Sequence, residues 1–127
     1  MTFSFRPRSG LIIVLAHIEG EYGGADVNLA LDTGSVHSLI SRDIALLLGY
    51  DLSIVTSQTR MITASSIETV PRIPLRRINT LGQERLNFLV TCHTLPRSAS
   101  VDGLLDLDFF RDRRLTIDFN LGTVTVE

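Results

Sequence analysis

The chain has a single cysteine, Cys92, which excludes an internal disulfide and leaves no cysteine pair for a metal. It also lacks a charge excess of either sign. Twelve Lys and Arg stand against fourteen Asp and Glu, a formal net charge of -2. That balance gives no electrostatic footprint for nucleic acid or a membrane surface, and neither partner is expected. No apolar run is long enough to cross a bilayer. The run Leu11-Ile12-Ile13-Val14-Leu15-Ala16 follows Arg6 and Arg8 but is short for a signal-peptide core. His17 and Glu19 follow it at once, where a cleavage site would place small residues. It is expected to be a buried strand and the protein cytoplasmic, in line with the lack of a disulfide framework. No linker or low-complexity segment divides the sequence. The histidines His17, His37 and His93 lie in three separate segments without an HExxH-like spacing, so neither a metal nor another cofactor is expected. Ser35, with His37 nearby, lacks the Gly-x-Ser-x-Gly elbow of a serine nucleophile.

What is present fits one domain spanning residues 1–127, with 1–9 expected to be a loosely ordered N-terminal segment. At 14.1 kDa, 44% hydrophobic and 20% charged residues, the chain has enough material for a proper core. Most of it reads as strands. Residues 11–19 are rich in β-branched and aliphatic types, and Gly20 with Gly23-Gly24 turns them into a second strand over 25–31. There Val27, Leu29 and Leu31 alternate with polar or small residues, which gives one apolar face. Residues 36–40 are expected to extend a strand. Ser41 then caps a helix through Ile44 to Leu48 that Gly49 ends. Further strands are expected over 59–63, 68–73, 73–78, 84–91, 101–105, 115–119 and 123–126, with a brief helix over 107–113. Pro71 and Pro74 confine the chain after the 59–73 hairpin to edge or irregular pairing. A faint internal repeat links Val27–Leu48 to Phe88–Arg111: in each, an extended run meets a carboxylate-and-glycine turn and a short helix.

The most informative run is Leu29-Ala30-Leu31-Asp32-Thr33-Gly34-Ser35. An apolar strand delivers a carboxylate into a turn whose hydroxyls and amides can hold it by hydrogen bonds, as a carboxyl used as acid or base requires. Gly34 lets the backbone turn tightly against that group. The Asp-Thr-Gly triplet occurs once.

With Leu31-Asp32-Thr33-Gly34-Ser35 followed by Leu39-Ile40, and Val101-Asp102-Gly103-Leu104-Leu105 preceding Leu107-Asp108-Phe109-Phe110, the chain resembles the retropepsin-like aspartic proteases. The likeness runs from Leu11 to Val126 and is greatest to their single-domain bacterial and archaeal members. The resemblance implies an all-β closed barrel of the acid-protease type, with one main short helix and a flap hairpin. It implies an aspartic endopeptidase acting on peptide or protein substrates, with Asp32 as the catalytic carboxylate and Thr33, Gly34 and Ser35 supporting it. In such proteins two copies of the aspartate activate a water, and two carboxylates about 3 Å apart cannot both ionise, so they share a proton. One triplet in 127 residues therefore implies a homodimer, with Val124-Thr125-Val126 as an interface strand or an internal one. The 59–73 hairpin corresponds to the flap, with Ala64, Ser65, Ser66 and Ile67 at its substrate-covering tip. Ser65-Ser66 stand where relatives often carry glycine.

One position departs from the family. The apolar pair Leu104-Leu105 is usually followed by glycine, and here Asp106 follows. A carboxylate at that crowded place is costly to bury; the alternative is a solvent-facing N-cap for the 107–113 segment. The functional alternative is a catalytically inactive dimeric binding module that keeps the fold. Arg76-Arg77 and the Arg111, Arg113 and Arg114 cluster, interleaved with Asp108 and Asp112, read as solvated faces, and Cys92 as a small core residue.

Overall fold

Period-two alternation builds most of this molecule. The computed structural model describes residues 1–62 and 64–127; Thr63, expected to end the first flap strand, lies outside the described residues. In chain order the elements are β1 (Thr2–Ser4), β2 (Ile13–Glu19), β3 (Gly24–Leu31), β4 (Leu39–Ser41) and α1 (Arg42–Leu47). There follow β5 (Gln58–Ile62), β6 (Ile67–Thr80), β7 (Gln83–His93), β8 (Gly103–Leu105), β9 (Leu115–Asp118) and β10 (Thr123–Val126). In β2, Val14, Ala16 and Ile18 are buried while Ile13, Leu15 and His17 face out, so one face alone enters the core.

Strands β2-β3-β8-β4-β7-β6 lie side by side, and β6 pairs back onto β2 from Ala16 opposite Thr80 to Glu19 opposite Arg77. This closes a barrel, with β5 attached outside as the partner of β6. Two parallel pairs, β3 with β8 and β4 with β7, flank an antiparallel contact of β4 with β8. The two halves of the faint repeat thus interlock at the barrel centre. Gly103 sits at that crossing, where a Cβ would fall 2.1 Å from the Leu39 carbonyl oxygen. No other residue fits there.

The core gathers Ile18, Leu29, Ile40, Ile73, Leu75 and Leu105, with Phe109 packed edge-on against Phe88 at 5.9 Å and Phe110 at 5.3 Å. Cys92 is wholly buried among them. Helix α1 starts as expected: the Ser41 hydroxyl accepts from the Ile44 amide at 3.2 Å, and Gly49 follows its end at φ +91°.

Several expectations change in three dimensions. β1, within the segment expected to be loosely ordered, pairs with β10 from Thr2 opposite Thr125 to Ser4 opposite Thr123. β10 therefore lies between β1 and β9, and Val124 and Val126 are buried: the strand is internal to its own sheet. Of the 36–40 run only Leu39 and Ile40 are strand, within β4, because residues before them turn to carry the Asp32 loop. The 107–113 helix shrinks to a 3₁₀ turn over Leu107–Phe110. The prolines do not end β6. Pro71 takes the last rung against β5, opposite Gln58. Pro74 lies opposite Leu89, and its carbonyl accepts the Tyr50 hydroxyl at 2.6 Å, so its backbone polar edge faces away from β7 and the missing N–H costs no ladder bond.

Candidate active site

The end of β3 sets the position of Asp32. Its amide donates to the Leu105 carbonyl at 2.9 Å, just as β3 and β8 finish their parallel pairing at Leu31 and Leu105. The chain then turns, and the Gly34 amide donates to Asp32 Oδ1 at 2.9 Å. A Cβ on residue 34 would come 3.2 Å from that oxygen, tighter than ordinary contact, so glycine suits the turn. Asp32 is half-buried and Thr33 exposed. Among the described residues the Thr33 hydroxyl has no partner within the chain. The Ser35 carbonyl accepts from the Leu107 amide at 3.0 Å, while its side chain is half-buried.

Four consecutive residues, from the end of β8 onward, hold this loop from behind. Leu105 takes the Asp32 amide, the Asp106 amide donates to Ser38 Oγ at 2.9 Å, and the Leu107 and Asp108 amides donate to the Ser35 and Val36 carbonyls at 3.0 Å each. The Asp108 carboxylate completes the clamp, accepting from the Ser38 amide at 2.9 Å and from its hydroxyl at 2.5 Å. Ser38 is 2% exposed, and its carbonyl takes the Thr91 amide at 2.9 Å. Asp108, expected on a solvated face, is instead half-buried and spent on Ser38. Neither Ser38 nor Asp108 stands out in the sequence, because their partnership spans 70 positions. An Asp-Phe-Phe run after the β8 residues, matched to a serine before Leu39-Ile40, was the only available signal.

Gly34, Ser35, Val36 and His37 line a cleft of about 510 Å³ together with Leu104, Asp106 and Thr59 to Ile62. Asp32 sits beside this cleft rather than in its wall. The hairpin of β5 and β6 closes with Ile62 opposite Ile67, so Ala64, Ser65 and Ser66 form the turn and Ile67 opens β6. All four are exposed and do not line the cleft. A larger open depression of about 930 Å³ lies between residues 5–9 and Phe119-Asn120, but it holds no carboxylate. No group of His, Cys, Asp or Glu among the described residues is arranged to hold a metal ion.

The model of the aspartyl protease family matches residues 18–109, most of the chain, including the Asp32 turn and the β8 clamp. The chain belongs to the aspartyl protease family. Its fold is that of retropepsin-like members. A retropepsin-like aspartic protease from Rickettsia conorii superposes with a TM-score of 0.73 at 19% identity, covering 99% of this chain and 90% of that one. The retroviral protease-like domain of Ddi1 from Leishmania major gives 0.64 at 17%, covering 94% and 90%. No curated protein sequence is significantly similar.

Set in an aspartyl protease barrel, Asp106 is the anomalous residue. It occupies the N-cap position of the Leu107–Phe110 turn, yet its side chain makes no capping bond. It is 2% exposed, so the solvent-facing N-cap does not occur. Among the described residues its Oδ1 has no hydrogen-bond partner. Burial, aided by the neighbouring carboxylates Asp32 and Asp108, pushes the Asp106 carboxyl up to about 7. No helix among the described residues is long and apolar enough to cross a membrane.

Proposed function

We propose that the protein is an aspartic endopeptidase working as a two-fold homodimer, in which each copy supplies one Asp32 carboxylate to a shared dyad. The observation that carries this reading is the Asp32 turn itself. A carboxylate held by the Gly34 amide is presented beside a cleft, on a barrel already closed and containing one such turn. A second carboxylate must then come from a second copy. The exposed, unpaired Thr33 hydroxyl suits a contact with the other copy's turn, Gly34 keeps that turn tight, and Ser35 flanks the carboxylate. Residues Ala64 to Ile67 form the outward flap tip that closes on substrate. Because β10 is internal, a contact through the small sheet would use the free edges of β1 or β9.

In the reaction, the ionised Asp32 takes a proton from water, whose oxygen bonds to the peptide carbonyl carbon. The protonated Asp32 gives its hydrogen to the carbonyl oxygen, and a gem-diol forms. A proton then passes to the amide nitrogen, the C–N bond breaks, and a carboxyl and an amine leave. We place this chemistry in the cytoplasm, with Cys92 as a buried free thiol. Neither the family match nor the fold supports the inactive binding module.

The test is hydrolysis of a peptide library from acid to neutral pH, with sedimentation of the same sample. Cleavage by a dimer, abolished in Asp32→Asn, is expected. Excess Asp32→Asn protein should also suppress the wild type by forming mixed dimers. Cleavage by a strict monomer would overturn the two-copy mechanism, and unchanged turnover in Asp32→Asn would remove Asp32 from it.

A further inference from the structure

We propose that Asp106 is a proton-dependent positioning residue: the Asp32 loop holds its working shape only while the Asp106 carboxyl is uncharged. This rests on the reading of Asp32 as the catalytic carboxylate. The geometry leaves Asp106 little freedom. Its amide is committed to Ser38 Oγ at 2.9 Å and its carbonyl to the Phe109 amide at 3.2 Å, so the backbone cannot swing the side chain into water without breaking the clamp. Its neighbours on either side, Leu105 and Leu107, are the residues that tie down Asp32 and Ser35. A charge created at Asp106 therefore appears in the middle of the contacts that shape the loop.

The groups facing it make that charge worse. Asp32 approaches from the end of β3 and Asp108 from the 3₁₀ turn, both acidic. Thr91 of β7 is neutral, and among the described residues neither Arg60 of β5 nor His37 of the loop, which line the same cleft, makes an ion pair with Asp106. Its Oδ1 meets no donor among the described residues. An ionised carboxylate there is buried, unpaired and next to like charge, a combination relieved by taking up a proton or by displacing the loop. A glycine at this position would carry no such dependence. The carboxyl makes the loop sensitive to pH near neutrality.

The experiment has two parts. Carbon-detected NMR of the wild type follows the Asp106 carboxyl and the amides of residues 32–38 through titration. Hydrolysis is measured over the same range for the wild type and Asp106→Asn, with Asp106→Gly as a second variant should the first not fold. Asp106 should titrate near neutrality, with the loop amides shifting in step. Wild-type kcat should fall about tenfold for each pH unit above that midpoint, while the uncharged variants, whatever their absolute rate, show no such fall. An Asp106 carboxyl titrating with the ordinary acidic groups, or parallel pH profiles in wild type and variants, overturns the proposal. If no protein cleaves peptide at any pH, the protease reading fails by itself. The loop amides then still decide: shifts that follow Asp106 support the proposal, and shifts that ignore it overturn it.

Discussion

Replacing Ser38 by Ala should remove the fastening that joins the two halves of the barrel at the site. The hydroxyl donates to the Asp108 carboxylate at 2.5 Å and accepts from the Asp106 amide at 2.9 Å. A hydrogen bond to a charged acceptor contributes roughly 1.5–3 kcal/mol, and a buried amide left without a partner costs about 1–3 kcal/mol. The Ser38 amide still reaches Asp108 at 2.9 Å, so the carboxylate keeps one donor and the lower ends apply. The expected loss is about 3 kcal/mol, a large part of the roughly 5–15 kcal/mol of a typical domain. At roughly 2.1 cal/mol/K of unfolding entropy per residue, that lowers Tm by about 11 °C. Calorimetry on the wild type, Ser38→Ala, Asp108→Asn and the double variant forms a cycle that isolates the pair. The two single losses should overlap, leaving a coupling of about 1–2 kcal/mol. Additive effects, or a Ser38→Ala loss below about 1 kcal/mol, would show that the clamp is not what holds the loop.

Asp106→Asn should change how stability depends on pH. With its folded value raised from 3.8 to about 7, Asp106 favours the fold fully below about pH 4 and loses that contribution as pH rises to 7. The wild type should lose about 4 kcal/mol relative to the variant across that window, measured as diverging Tm curves; parallel curves would count against a buried carboxyl. Gly103→Ala should leave little folded protein by circular dichroism, because its Cβ would overlap the Leu39 carbonyl. Asp32→Asn should reduce peptide cleavage at least about a thousandfold while Tm stays within a few degrees, since the bond that Asp32 Oδ1 accepts is the local one from the Gly34 amide. His17 should titrate above its ordinary value because Asp26 Oδ1 lies 2.7 Å from its Nδ1, and Asp26→Asn should lower its NMR midpoint.

The elements read most easily from the chain are those built on neighbouring residues. The β2–β3 hairpin follows from alternation and the Gly20–Gly24 turn, and its register pairs Glu19 with Gly24. Helix α1 begins at its Ser41 cap. The Asp32 turn was legible because its hydrogen bond spans two residues, from Gly34 to Asp32. Residues 36–40 misled in part, since β-branched character there serves the approach to β4 rather than a longer strand. The prolines misled about β6, because whether a missing amide matters depends on which neighbour it faces.

By itself the sequence determined the strand pattern, the single carboxylate turn, the lone cysteine and near-balanced charge, and the resemblance that the family match now makes definite. Each of these is local or compositional. Only the tertiary structure decided that β10 is internal, that Ser38 and Asp108 clamp the Asp32 loop, and that Asp106 is buried with no partner for its Oδ1 among the described residues. Those facts depend on contacts between residues far apart in the chain, 70 positions for Ser38 and Asp108 and 123 for Thr2 and Thr125. Such contacts form only when the barrel closes, and they set the solvation of a carboxyl that sequence alone leaves free to face water.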